Sequence, residues 1–94
     1  MGGKDLKRIQ KLLRRPPEYD YQDLEKVLNF FGFYKENTKG SHNIFVLKHN
    51  RQNMEFEVDQ ITVPTVKGRK VKKVYLKKII KILQIEEWYE KNKK

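Results

Sequence analysis

The chain has 94 residues, 36% of them charged and 37% hydrophobic, so it is long enough for one modest core and too short for two. It has no cysteine, which excludes disulfides and cysteine-ligated metals, and its two histidines lack a nearby carboxylate cluster, which argues against a metal or other cofactor. No apolar run approaches ~18 residues and Met1–Gly3 does not begin a signal peptide, so we expect one cytoplasmic domain over residues 1–94.

The net charge of +10 is unevenly distributed along the chain. Residues 67–81 contain eight Lys or Arg and no acid, and residues 4–15 contain six basic residues and one acid. Acidic residues are concentrated elsewhere, at 18–25, 55–59 and 86–90. Segregated positive charge attracts polyanions, which leaves nucleic acid, an anionic membrane and an acidic protein as possible partners.

Two amphipathic helices are predicted in the first third of the chain. Residues 5–14 have apolar side chains at helical spacing, namely Leu6, Ile9 and Leu13. The pair Pro16-Pro17 ends this helix. A second helix is predicted after Asp20 as N-cap, with Gly32 just beyond its end. Its apolar side chains are Tyr21, Leu24, Val27, Leu28 and Phe31.

The middle of the chain has the shorter period of β-strands. Residues 33–37 are short and extended, and residues 42–49 are apolar on both faces, which is typical of a central strand. Residues 56–63 resume the pattern, with a change of phase at Gln60 that predicts a bulge. Pro64 cannot donate to a sheet, so this third strand is expected at an edge.

The period returns to helical over residues 74–83. The apolar side chains there are Leu76, Ile79, Ile80 and Leu83, and a ridge of Lys73, Lys77 and Lys81 lies opposite them. Residues 86–94 form a tail, with Trp88 and Tyr89, that is expected to extend or cap this helix. The elements predict an α+β fold: a three-stranded antiparallel sheet beneath two helices in the order αβββα, with an extra N-terminal helix in residues 1–19. Double-stranded-RNA-binding domains share this architecture.

The most informative segment is Lys39-Gly40-Ser41-His42, a small turn directly before an apolar strand. Gly40 permits a positive φ and a close approach of the backbone, and Ser41 adds a hydroxyl beside the imidazole. A histidine at this place would point from the edge of a strand toward solvent or a ligand. The alternative is a plain hairpin turn in which His42 is a polar strand residue. His49 is interpreted as a solvated turn residue.

The order of several segments resembles the HicA family of toxins. These segments are Gly32-Phe33, residues 39–45, residues 61–64 and the helix 74–83, and the resemblance as a whole covers roughly residues 20–85. The resemblance implies a double-stranded-RNA-binding-domain-like fold, mRNA interferase activity and neutralisation by a HicB antitoxin. The essential histidine of the family, which follows Gly-Ser, corresponds to His42. Asn43 and Thr65-Val66 stand where many members carry further histidines.

These observations predict a metal-independent endoribonuclease with His42 as general acid or base. The residues expected to bind RNA and stabilise charge are Lys39, Gly40, Ser41, Lys67, Arg69, Lys70, Lys72, Lys73 and Lys77. The alternative is a non-catalytic RNA-binding module that uses the same face. A membrane-surface or purely protein-docking module is a third possibility, but the basic helices lack the broad apolar face of an interfacial anchor.

Overall fold

The computed structural model describes residues 3–92; Met1, Gly2 and the last two residues of the predicted tail, Lys93 and Lys94, lie outside this range. The elements in chain order are α1 (Gly3–Leu13), β1 (Glu18–Asp20), α2 (Tyr21–Phe30), β2 (Phe33–Lys39), β3 (His42–Leu47), β4 (Gln60–Pro64), β5 (Lys70–Lys72), α3 (Lys73–Ile82) and α4 (Ile85–Asn92). The α+β class and the predicted order of helices and main strands are confirmed.

Strands β2, β3 and β4 form an antiparallel sheet with β3 in the centre and β4 at an edge, as predicted. The predicted beginning of the third strand was wrong, since β4 starts at Gln60 and residues 56–59 form a loop. Phe56 is apolar there because its ring packs against that of Phe33, with centroids 5.3 Å apart, and not because it alternates in a strand. The predicted bulge was also misplaced. The register shift lies in β2, between Lys35 and Asn37.

The sheet has one covered face, which we call the inner face, and one open face, which we call the outer face. Side chains alternate between the two faces along a strand. The inner face contributes the buried side chains Phe33, Phe45, Ile61 and Val63. Helices α2 and α3 pack on this face and complete the core. The apolar stripe of α2 is buried as predicted, and Asp20 caps this helix by accepting a hydrogen bond from the Asp23 amide at 3.2 Å.

A second, two-stranded sheet, which was not predicted from the sequence, joins β1 and β5. Each strand has three residues, and Tyr19 pairs with Val71 at its centre. The Tyr19 hydroxyl donates to the Arg8 carbonyl at 2.8 Å, which fastens β1 to α1. The Lys73 amide at the start of α3 donates to the Pro17 carbonyl at 3.0 Å. This small sheet therefore holds the basic segment after β4 against the N-terminal end of α2.

The terminal helices pack against each other. Leu12 is fully buried in α1, whereas Leu13, which helical spacing placed in the apolar stripe, is only half-buried. The tail does not extend α3, because Gln84 adopts a φ of 54° and a separate helix, α4, begins after it. Trp88 of α4 packs edge-on against Phe30, with centroids 5.2 Å apart. Within residues 3–92, no helix is both long and apolar enough to cross a membrane.

Candidate functional site

His42 lies at the tip of the β2–β3 hairpin, where it is exposed. The two-residue connection Gly40-Ser41 requires Gly40 to adopt a φ of 59°, which glycine does at little cost. His42 is the first residue of β3 and pairs with Lys39 on one side and with Pro64 on the other. We call residues 39–42 the hairpin tip. The predicted turn therefore exists, and its histidine stands at the end of the central strand.

Strand alternation places the His42 side chain on the outer face. The next residues on the inner face are Asn43 and Phe45, both buried, while Ile44 and Val46 share the outer face with His42. The imidazole therefore lies at one end of the open side of the sheet, between the ends of β2 and β4. His49, the other histidine, follows the far end of β3, so the fold does not bring the two rings together.

The bulge in β2 determines which cation faces His42. Lys35 pairs with Phe45 and Asn37 pairs with Ile44, so the extra residue Glu36 shifts β2 by one position relative to β3. Residues directly opposite each other share a face of the sheet. The shift therefore brings Lys39, and not Thr38, beside His42 on the outer face.

Asn43 fastens the hairpin tip to the neighbouring strand. Its side chain is only 6% exposed, and its amide nitrogen donates to the Val63 carbonyl at 3.0 Å. Its amide oxygen accepts from the Thr38 hydroxyl at 3.3 Å. The Ser41 carbonyl in turn accepts from the Thr65 amide at 2.9 Å. This role was not predicted from the sequence, although a polar residue at an inward-facing strand position was the available signal. A histidine at position 43 would point into the protein, away from His42.

The basic turn, residues 67–70, begins two residues after Thr65, whose amide donates to the Ser41 carbonyl of the hairpin tip. Lys67 is exposed, and no ion pair holds it within the described range. The Arg69 guanidinium instead lies over the Tyr21 ring, 4.9 Å from its centroid. The Lys70 ammonium is 3.7 Å from an Asp20 carboxylate oxygen. Lys67 is therefore the freest cation of this turn, and Arg69 and Lys70 mainly hold the turn in place.

Tyr21 forms the floor under this turn. Its side chain is fully buried, and the Lys35 ammonium lies 5.9 Å from its ring centroid. Burial raises the pKa of the Tyr21 hydroxyl, the charge of Glu25 acts in the same direction, and the charge of Arg69 opposes them. The ring therefore stays neutral at physiological pH, and its face attracts the cations through its quadrupole.

The remaining predicted lysines belong to α3 and lie beyond β5. Lys72 is the N-cap of α3 and Lys73 its first residue, and neither cap nor first turn contains an acid. Both lysines line an open groove of about 700 Å³ with Pro17, Glu18 and Val74. Lys77 is exposed one turn further on. The predicted basic residues thus form two groups, one at the hairpin tip and basic turn and one on α3.

Within residues 3–92, no group of three His, Asp or Glu side chains is arranged to hold a metal ion. A family model described as the HicA toxin of bacterial toxin–antitoxin systems matches residues 21–85. No curated protein and no solved structure matches the chain. The match covers most of the chain, including the hairpin tip, the basic turn and α3. The chain belongs to the HicA toxin family, whose members are toxins of toxin–antitoxin pairs and generally ribonucleases.

Proposed function

We propose that this HicA-family toxin is a metal-independent endoribonuclease that cleaves mRNA in the cytoplasm, with His42 as its general acid or base. The observation that carries the proposal is the position of His42. The imidazole is exposed at one end of the open sheet face, directly opposite Lys39, on a turn fastened by Asn43. A proton-transferring group needs access to the substrate and a fixed backbone, and His42 has both.

The reaction is an attack of the RNA 2′-oxygen on the adjacent phosphorus. The P–O2′ bond forms, the P–O5′ bond breaks, and the products are a 2′,3′-cyclic phosphate and a 5′-hydroxyl. His42 takes the proton of the 2′-hydroxyl or gives one to the leaving 5′-oxygen. One imidazole cannot do both efficiently in a single step, so a water or a neighbouring lysine completes the transfer and slow turnover is expected.

The charge that develops on the phosphoryl oxygens needs nearby donors. Lys39 lies opposite His42, and the amides of Gly40 and Ser41 are exposed at the same tip. Lys67 is the exposed cation of the basic turn, and Arg69 and Lys70 follow it in the chain. Lys72, Lys73 and Lys77 of α3 bind the RNA backbone further along. Because the lysines among these groups are positively charged, they supply affinity for RNA of any sequence.

The same positive surface serves the antitoxin. An HicB-like antitoxin that presents acidic side chains to the hairpin tip and basic turn would cover His42 and exclude RNA. Electrostatic complementarity of this kind gives fast and selective association. The same patch therefore binds both the RNA substrate and the antitoxin.

Replacement of His42 tests the proposal. Purified wild-type protein is incubated with single-stranded RNA in EDTA, and the product ends are analysed for a cyclic phosphate. His42→Ala and His42→Gln are expected to lower the cleavage rate about 10²–10⁴-fold. Because the side chain is exposed, their melting temperatures should stay close to that of the wild type, and their RNA affinities should stay within about twofold of it. Cleavage by His42→Ala at the wild-type rate would contradict the assignment, and RNA binding without cleavage by the wild type would identify a passive RNA-binding module instead.

A further inference from the structure

The outer face of the sheet is a continuous surface that begins at His42. Its side chains are Tyr34, Asn37 and Lys39 from β2, His42, Ile44 and Val46 from β3, and Gln60, Thr62 and Pro64 from β4. Ile44 and Val46 are half-buried, whereas Phe45, which points to the inner face between them, is fully buried. An apolar strip therefore leads from the proposed catalytic histidine across the middle of the open face.

Tyr34 stands at the far end of this strip, directly opposite Val46. The Arg51 guanidinium lies 5.5 Å from its ring centroid, and the His49 ring meets it edge-on at 5.9 Å. The Tyr34 hydroxyl is shielded from solvent and has no hydrogen-bond partner among the described residues. Aromatic rings and guanidinium planes are the groups on which the bases of single-stranded RNA stack.

The charges on this face suit a polyanion. Lys39 lies at the His42 end, and Arg51 lies at the Tyr34 end. The three strands carry a single acidic side chain, Glu36, and Lys48 forms an ion pair with it. The face thus has cations at both ends, an apolar and aromatic middle, and its one carboxylate already neutralised.

We propose that single-stranded RNA lies along this outer face when its phosphodiester reaches His42, with a base stacked on the Tyr34–Arg51 pair. The proposal rests on the proposed ribonuclease function and identifies where its substrate binds. His42 and Val46 are four residues apart in β3, or about 13 Å at the rise of a strand. A stacked strand advances roughly 3.4 Å per nucleotide, so this distance corresponds to about four nucleotides, or fewer if the strand is extended.

The experiment measures RNA affinity in the His42→Ala background, so that no probe is cleaved. Fluorescently labelled oligoribonucleotides of two and six nucleotides are titrated. Tyr34→Ala is expected to weaken binding of the six-nucleotide strand about tenfold and to leave the dinucleotide within about twofold. Tyr34→Phe should retain affinity. Tyr75→Ala is the matched control, because Tyr75 is also half-buried with a cation, Lys78, 5.8 Å from its ring, but belongs to α3.

A second pair of variants guards against misfolding of Tyr34→Ala. Ile44→Glu and Ile44→Lys place opposite charges at one half-buried position in the middle of the outer face. The glutamate is expected to weaken binding of the six-nucleotide strand about tenfold or more, and the lysine is not. Equal affinities for these two variants, in the presence of a normal melting transition, would overturn the proposed track.

The remaining outcomes separate this proposal from the ribonuclease function. Cleavage that depends on His42, with outer-face variants that bind RNA normally, would overturn the track and leave the function intact. A loss of RNA affinity in Tyr75→Ala, but not in Tyr34→Ala, would indicate that the RNA bases bind at α3 instead of the outer face. Weakened antitoxin binding with unchanged RNA affinity would make the outer face a protein-docking surface. A wild-type protein that neither binds nor cleaves RNA would overturn both proposals.

Discussion

Asn43 is a buried amide that determines where its exposed neighbours lie. Its hydrogen bonds to Val63 and Thr38 join the hairpin tip to β4 and to β2. The side chain points away from His42, so its contribution to the site is through the backbone. A histidine at position 42 is useful only while the turn that precedes it keeps one shape, and Asn43 supplies that restraint.

Replacing Asn43 with Ala should destabilise the protein. The substitution removes the buried side-chain donor of the Val63 carbonyl, so we expect a loss of about 1–3 kcal/mol in the free energy of unfolding, measured with urea. Cleavage should also slow, because His42 and Lys39 lose their fixed relation. The control is Asn37→Ala in the same hairpin, whose exposed side chain only accepts from the adjacent Thr38 amide. Equal losses in the free energy of unfolding for the two variants would contradict the anchoring role of Asn43.

At the scale of elements, Gly32 and Gly40 both have a positive φ, but they are required for different structural reasons. Gly32 links α2 to β2 with a φ of 101°, and a Cβ there would lie 1.7 Å from the His49 carbonyl oxygen. The Gly32 carbonyl also accepts from the Lys48 amide at 2.9 Å. Gly40 has a φ of 59° and open space around it. The first glycine is required by close packing, and the second only by the turn.

Gly32→Ala is therefore expected to cost about 3 kcal/mol or more in the free energy of unfolding, because backbone strain and a steric clash add. Gly40→Ala should cost about 1–2 kcal/mol, from the left-handed conformation alone. Denaturant midpoints of the two variants give the comparison. A Gly32→Ala protein as stable as Gly40→Ala would show that the β3–β4 loop moves away from Gly32 easily.

The helices and the hairpin tip were predictable because their signals are local. The Asp20 cap directly precedes the apolar stripe of α2, and the turn at the hairpin tip is specified by the adjacent pair Gly40-Ser41. Strands β1 and β5 were missed because three residues carry no period of their own, and their pairing depends on the chain 50 residues away. The composition of the outer face was equally hidden, since the bulge at Glu36 is set by the pairing of β2 with β3.

At the scale of the whole molecule, the two basic segments differ in how much of their charge is held in ion pairs. Two of the six basic residues in 4–15 form described ion pairs: Arg8 pairs with Asp5 and Asp23, and Arg15, just after α1, pairs with Glu86 of α4. The basic turn and α3 contain one described ion pair, between Lys70 and Asp20. Residues 67–81 therefore carry more positive charge outside the described ion pairs than residues 4–15 do, and they lie in the region where the proposed substrate binds.

This distribution predicts how RNA binding responds to salt. If Lys39, Lys67, Arg51 and one lysine of α3 each neutralise a phosphate, log K should fall against log salt with a slope of about −2.8 for a single strand. Between about 50 and 200 mM KCl the affinity of the His42→Ala protein would then drop roughly 50-fold. Lys67→Ala should reduce the slope by about 0.7, while Lys11→Ala, an exposed lysine of α1, should leave it unchanged. A salt-independent affinity, or an equal effect of the two lysines, would contradict a phosphate-binding surface centred on the hairpin tip.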